Sequence, residues 1–241
     1  MLIESSLLLV ALIAVIAGSA LQSMSGFGLA VIASPVLVII NTNFLPAPML
    51  ALGCILSLIN CIRYHQQLSF SNIKLALLAR IPGSVLGIFL LTLLPPIFFA
   101  VCFSLLIMLS VLLTYRRVNI EHGSRNLVLA GFFSGLMGTT TSVGGPPIAL
   151  VYQNSKLSTV RAELGLFFLI GTLMSVVMLV VSGNINYAQV QLTLPLIPAL
   201  FVGFGLSFYL DKYLGQRYLK PLISTLSLTS CSIILLKAFF Y

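Results

Sequence analysis

Long apolar runs separated by short polar punctuation fill the chain. Residues 5–22 are apolar, Gly26 and Gly28 interrupt, and apolar character resumes at 29–40. Further runs cover 45–62, 73–94 and 97–115, with Pro95 and Pro96 between the last two. Two shorter apolar pieces, 127–138 and 148–152, flank Thr139-Thr140-Thr141-Ser142-Val143-Gly144-Gly145-Pro146-Pro147. Long runs return at 164–182, 190–210 and 221–236. A helix that crosses a bilayer needs about 20 apolar residues, so the long runs predict membrane helices. The regions 5–40 and 127–152 predict something else. Neither reads as one regular helix, because glycine and paired proline break the helical pattern. The longest polar interruption, 115–126, leaves no room for a domain outside the membrane.

Composition agrees and excludes a soluble fold. Of 241 residues, 59% are hydrophobic and only 7% charged, and mean hydropathy is +1.15. Soluble domains carry roughly 25% charged residues, which form their polar skin. The four cysteines, Cys54, Cys61, Cys102 and Cys231, lie inside apolar segments and form no CxxC pair. They imply neither a zinc site nor a disulfide framework, and no metal or cofactor is expected.

The net charge of +8 matters through its placement. Arg63, Lys74, Arg116, Arg117, Arg125, Lys156, Arg161, Lys212, Arg217 and Lys220 sit at run ends, leaving only Arg80 and Lys237 of the 12 basic residues elsewhere. The linkers at 41–44, 95–96 and 182–188 carry none. Basic linkers face the cytoplasm, so the first set marks the inner side and the second the outer side. The excess charge thus records orientation, and nucleic acid is not an expected partner. Both 116–125 and 156–161 are basic, so the segment between them must leave and return to one side. Its arms, roughly ten to thirteen residues each, are too short to span at 1.5 Å per residue. They predict a re-entrant hairpin turning inside the membrane.

The two halves match. Ser25-Gly26-Phe27-Gly28 lies over Ser142-Val143-Gly144-Gly145 at an offset of 117, and Ile81-Pro82 with Gly87 lies over Ile197-Pro198 with Gly203 at an offset of 116. The predicted fold is an all-α polytopic membrane protein of two inverted repeats, 1–115 and 126–241, joined by a cytoplasmic linker at 116–125. Each repeat comprises one broken or re-entrant helical element and three full transmembrane helices, and both termini face outward. Such plans occur in many secondary transporters.

Irregular backbone survives in a bilayer only when buried in protein or lining a polar cavity. The breaks therefore supply the candidate substrate-binding residues: Ser25, Gly26 and Gly28 in the first, Thr141, Ser142, Gly144 and Gly145 in the second. Pro35, Pro146 and Pro147 are the candidate structural breaks. A helix restarting after a break offers free N–H groups and partial positive charge, which suits an anion. The alternative is that Gly and Thr merely let helices pack closely. Arg80 is a candidate because an intramembrane cation is costly unless it has a task; the alternative is snorkelling to the interface. Its counterpart in the second half is Leu196. The acids Glu4, Glu121, Glu163 and Asp211 fall near run ends or in a loop, and Glu163 beside Arg161 suggests a boundary ion pair. His65 and His122 fall in loops, which removes an intramembrane Ser–His dyad and points away from an enzyme.

The segments Ser25-Gly-Phe-Gly-Leu-Ala-Val-Ile-Ala-Ser-Pro35 and Gly138-Thr-Thr-Thr-Ser-Val-Gly-Gly-Pro-Pro147 resemble the paired signature segments of the TauE/SafE family, sulfite and organosulfonate exporters of bacterial inner membranes. The resemblance covers essentially the whole chain. It implies a multi-pass inner-membrane secondary transporter exporting a small sulfur-containing anion by alternating access. It carries Gly26, Gly28, Pro35, Gly144, Gly145 and Pro146 over by motif, whereas Arg80 enters from chemistry alone. The expected partners are a small anionic substrate and the lipid bilayer, with a homodimer left open. The alternative function is a passive anion channel or a membrane scaffold without transport.

Overall fold

The computed structural model describes residues 4–95 and 121–213, with residues 98, 101, 104, 105, 108, 225, 228, 229, 232 and 235 besides. Most of the predicted runs 97–115 and 221–236 and of the linker 116–125, together with Cys102 and Cys231, lies outside the described residues.

Helices α1 (Ser5–Ser25) and α2 (Leu29–Ile40) flank the first break. Helices α3 (Ala47–Arg63) and α4 (Phe70–Leu93) follow, and α4 runs straight through Pro82. Helices α5 (Ser124–Thr141) and α6 (Gly145–Val151) flank the second break. Then come α7 (Leu157–Val181), α8 (Tyr187–Thr193) and α9 (Leu196–Tyr213). Among the described residues, five segments are long and apolar enough to cross a membrane: Ser5–Ser25, Thr42–Arg63, Ile73–Leu93, Leu157–Val181 and Tyr187–Tyr213.

Burial is inverted relative to a water-soluble protein. Leu78, Val85, Phe89 and Leu93 of α4 and Leu173, Val177, Val180 and Val181 of α7 are exposed, while Gln22, Asn60, Arg80, Ser134 and Ser175 are buried. Apolar side chains exposed along long helices in this way suit a lipid surround.

Both broken elements fold back on themselves. Ala33 and Leu37 of α2 share an apolar cluster with Ala11 and Ala14 of α1, so α2 runs antiparallel to α1. In the second element, Tyr152 just after α6 meets His122 just before α5 edge to face, with ring centres 4.7 Å apart. The two ends of this segment thus lie side by side. The arm lengths differ from expectation. Helix α5 has 18 residues and α6 only 7, or ~27 and ~10 Å at 1.5 Å per residue. The Thr run does not end α5, because Thr140 and Thr141 donate their hydroxyls to the Leu136 and Met137 carbonyls at 2.9 and 2.7 Å and remain helical.

Two further boundaries depart from the apolar pattern. Leu194 and Pro195 split the run 190–210 into α8 and α9. Helix α7 starts at Leu157, well before its apolar run, and draws Arg161 and Glu163 into its first turns.

Helices α4 and α5 form the most extensive contact, followed by α1 with α9 and α3 with α7. Glycine permits the close approaches. A Cβ on Gly203 of α9 would run into the Ile16 carbonyl and Ser19 of α1, and one on Gly87 of α4 would lie 2.9 Å from the Leu136 carbonyl of α5.

Candidate functional site

The first break turns on backbone freedom. Gly26 and Gly28 hold φ of +88° and +137°, on the side of the map that a Cβ disfavours. The Gln22 side chain spans the turn, its Oε1 accepting from the Leu29 N–H at 3.1 Å. The first helical bond of α2 runs from the Ile32 N–H to the Gly28 carbonyl. The N–H groups of Ala30 and Val31 therefore have no intrahelical acceptor.

The second break turns on a left-handed serine and on hydroxyl bonds. Ser142 has φ +66° and donates its Oγ to the Pro46 carbonyl at 2.8 Å, tying the break to the start of α3. Gly144 lies so close to α5 that a Cβ there would sit 2.6 Å from the Ser134 carbonyl. Pro146 and Pro147 occupy the first turn of α6, where the missing N–H costs nothing.

The two breaks meet. A Cβ on Gly145 would lie 3.1 Å from the Phe27 side chain. Gly28, Ala30 and Val31 from one side and Ser142, Gly144 and Gly145 from the other wall a single cavity. Gln22, Ser57 and Thr172 add polar atoms to its lining, and Met49, Leu50 and Phe168 apolar surface. Space for the centres of water-sized molecules is about 30 Å³, above the roughly 10–15 Å³ that one water needs.

The sequence-predicted residues divide accordingly. Gly28, Ser142, Gly144 and Gly145 line the cavity. Ser25, Gly26 and Thr141 shape the turns instead. The Ser25 hydroxyl sits 2.7 and 2.5 Å from the Leu21 and Phe27 carbonyls, and Thr141 donates to Met137. Pro35, a candidate structural break, lies buried inside α2, which continues from Leu29 to Ile40 around it, so Gly26 and Gly28 make the first break instead.

Arg80 stands behind the wall. It is 1% exposed, so its head is folded into the protein rather than extended to an interface. Its Nη1 donates to Ser134 Oγ at 3.0 Å, and Ser134 Oγ donates on to the Gly144 carbonyl at 2.6 Å. The guanidinium carbon lies 5.0 Å from the centre of the Phe167 ring. Gly171 leaves the room that the guanidinium fills. Among the described residues no carboxylate pairs with Arg80, and its Nε has no hydrogen-bond partner.

Arg161 corrects the expected Arg161–Glu163 ion pair. Its two Nη atoms grip Asp211 of α9 at 2.8 and 2.5 Å, Nε donates to the Met24 carbonyl at 2.5 Å, and Nη1 reaches the Tyr64 hydroxyl at 3.3 Å. Residues two apart on a helix do not share a face, which separates Glu163 from Arg161 once both are helical.

Sequence reading missed Gln22, Ser57, Ser134 and Thr172. Their signal was present as polar positions inside or beside apolar runs, but serine and threonine in membrane helices commonly bond their own backbone, as Thr172 does to the Phe168 carbonyl at 2.6 Å.

No match to the chain is found among curated proteins or among solved structures. The family model described as sulfite exporter TauE/SafE matches residues 10–233. With nearly the whole chain matched, and with helices suited to a multi-pass membrane protein, the chain belongs to the TauE/SafE sulfite exporter family of membrane transporters for sulfur anions.

Proposed function

We propose that this protein is an inner-membrane secondary transporter that exports a small sulfur oxyanion, sulfite or a close organosulfonate, by alternating access. The observation that carries this reading is the convergence of both breaks on one cavity, with a buried cation behind it that pairs with no carboxylate among the described residues. Gly28, Ser142, Gly144 and Gly145 hold the anion, with the free N–H groups of Ala30 and Val31 as donors to its oxygens. Ser25, Gly26 and Thr141 keep the breaks in shape, and Arg80 supplies net positive charge. An inside-negative potential favours exit of the anion, by about 2.3 kcal/mol per charge per 100 mV.

Alternating access requires two units that rock against each other around a fixed site. Several contacts support an inverted repeat as those units. The broken helix of each half packs on the last described helix of the other half, α1 on α9 and α5 on α4. The broken helix of each half also carries a polar link to the next span. Gln22 bonds Ser57 at 3.5 Å, and Thr139 bonds Ser175 at 2.8 Å, at offsets of 117 and 118. The close approaches at Gly87 and Gly203 fall on the same relation.

The test is flux from liposomes containing the purified protein, with a panel of sulfite, sulfate, sulfoacetate and chloride under an imposed potential. Saturable sulfite or sulfonate efflux that rises with the potential is the expected result. Unitary conductance without saturation would replace the transporter with a channel. The absence of flux for every anion would leave a scaffold.

A further inference from the structure

The cavity lining does not include Arg80, yet two hydrogen bonds connect Arg80 to a residue that does line it. The geometry points to Arg80 and Ser134 as a positioning pair that fixes the Gly144–Gly145 peptide and, through it, the donor that the second break presents to the anion. This inference rests on the transporter reading of the same cavity.

The chemistry follows from peptide geometry. The Ser134 hydroxyl has one hydrogen. Because Arg80 Nη1 is a donor only, Ser134 must accept from it and spend its own hydrogen on the Gly144 carbonyl. That carbonyl is therefore held toward α5. The peptide is planar and trans, so the Gly145 N–H points the opposite way, away from α5. Gly145 itself lines the cavity and packs against Phe27 of the first break, whose side chain lies 3.1 Å from where a Cβ on Gly145 would sit. The next two residues are Pro146 and Pro147, which have no N–H. Gly145 thus carries the only backbone donor in this three-residue stretch, and its direction depends on one bond.

Local packing is built for this relay. A Cβ on Gly144 would sit 2.8 Å from Ser134 Oγ, and one on Gly138 would sit 3.0 Å from Arg80 Nη2. A Cβ on Gly171 would collide with the guanidinium itself. Three glycines from two helices and the break leave room for the arginine, the serine and the peptide to touch. A merely structural arginine in this position would be expected to meet a carboxylate; this one meets a hydroxyl that polarises a peptide. The buried charge strengthens the chain of bonds, because each polarises the next in a low-dielectric surround.

Two readouts test the pair. The first is the KM for sulfite in liposomes for the wild type, Ser134→Ala, Arg80→Gln and the double variant. Ser134→Ala should raise KM about tenfold with little change in maximal rate, as expected for loss of one charge-assisted hydrogen bond. The double variant should be no worse than Arg80→Gln alone, because both act through one path. Multiplying effects would show that Arg80 touches the anion directly and would overturn the relay. The second readout is the ¹⁵N amide resonance of Gly145 in glycine-labelled protein in nanodiscs without substrate. It should shift in Ser134→Ala and in Arg80→Gln, and an unmoved resonance would overturn the relay. If the wild type carries no anion, the transporter reading fails, and the Gly145 resonance alone decides whether the pair fixes the peptide. Should Ser134→Ala fail to fold, Ser134→Cys keeps the shape, weakens the donor and should give the same direction of change in both readouts.

Discussion

The two breaks do the same job by different means, and the difference lies in how each handles an arginine. Next to the first break stands Arg161, gripped by Asp211 and donating to the Met24 carbonyl. Its charge is neutralised, and it ties α1, α7 and α9 together. Behind the second break stands Arg80, buried, bound to a serine and unmatched by any carboxylate among the described residues. A paired buried charge supports the structure when its partner is present, whereas an unpaired one is a standing cost. The first break is therefore an anchored turn, and the second, on the proposed function, is a turn held ready for negative charge. The backbone repeats the contrast. Two glycines with positive φ make the first turn, while a serine with positive φ, bonded to Pro46, makes the second.

Opposite substitutions at the two arginine sites bear hardest on this contrast. Asp211→Asn should lower stability by about 3 kcal/mol, because it leaves Arg161 without its countercharge. It should appear as a lower Tm in detergent. Arg80→Met should leave Tm unchanged or raise it, since it removes a buried charge that has no countercharge among the described residues, and should raise the KM for sulfite at least as far as Ser134→Ala does. Equal destabilisation by both would erase the distinction. A smaller effect separates the turns themselves. Gly26→Ala forces a Cβ onto φ +88° and against the Val160 carbonyl at 3.1 Å, at a cost of about 1–2 kcal/mol. Ser142→Gly relieves a left-handed residue but loses one hydrogen bond, so its net change should stay within about 1 kcal/mol. Chemical unfolding of the two variants side by side measures that difference.

Much of the architecture was legible because the membrane imposes it. Apolar run length predicted the long helices, and the placement of basic residues predicted a hairpin, whose two ends the Tyr152–His122 contact brings together. Glycine marked the first break and glycine with paired proline the second, whereas Pro35 lies inside α2 and breaks nothing. What the sequence hid was set by contacts between distant segments. The apolar run ends at 138, before the Thr run, but the hydroxyls of Thr140 and Thr141 bond within the helix and α5 continues to Thr141. Arg161 reads as the partner of its neighbour Glu163, but helix α7 begins early and turns it to Asp211, 50 residues away. Ser134 is invisible in a one-dimensional reading, because its importance comes from Gly144 lying against it.

The central claim is that both breaks face one anion. The chain has no tryptophan, so Phe27→Trp, on the first break and beside Gly145, provides a single fluorescent reporter. Titration of this variant with sulfite should give a saturable change in emission. Adding Ser142→Ala, which removes the hydroxyl that ties the second break to the Pro46 carbonyl, should move the midpoint to several-fold higher sulfite. A reporter that does not respond, or a midpoint that stays fixed when the second break is altered, would contradict a shared site.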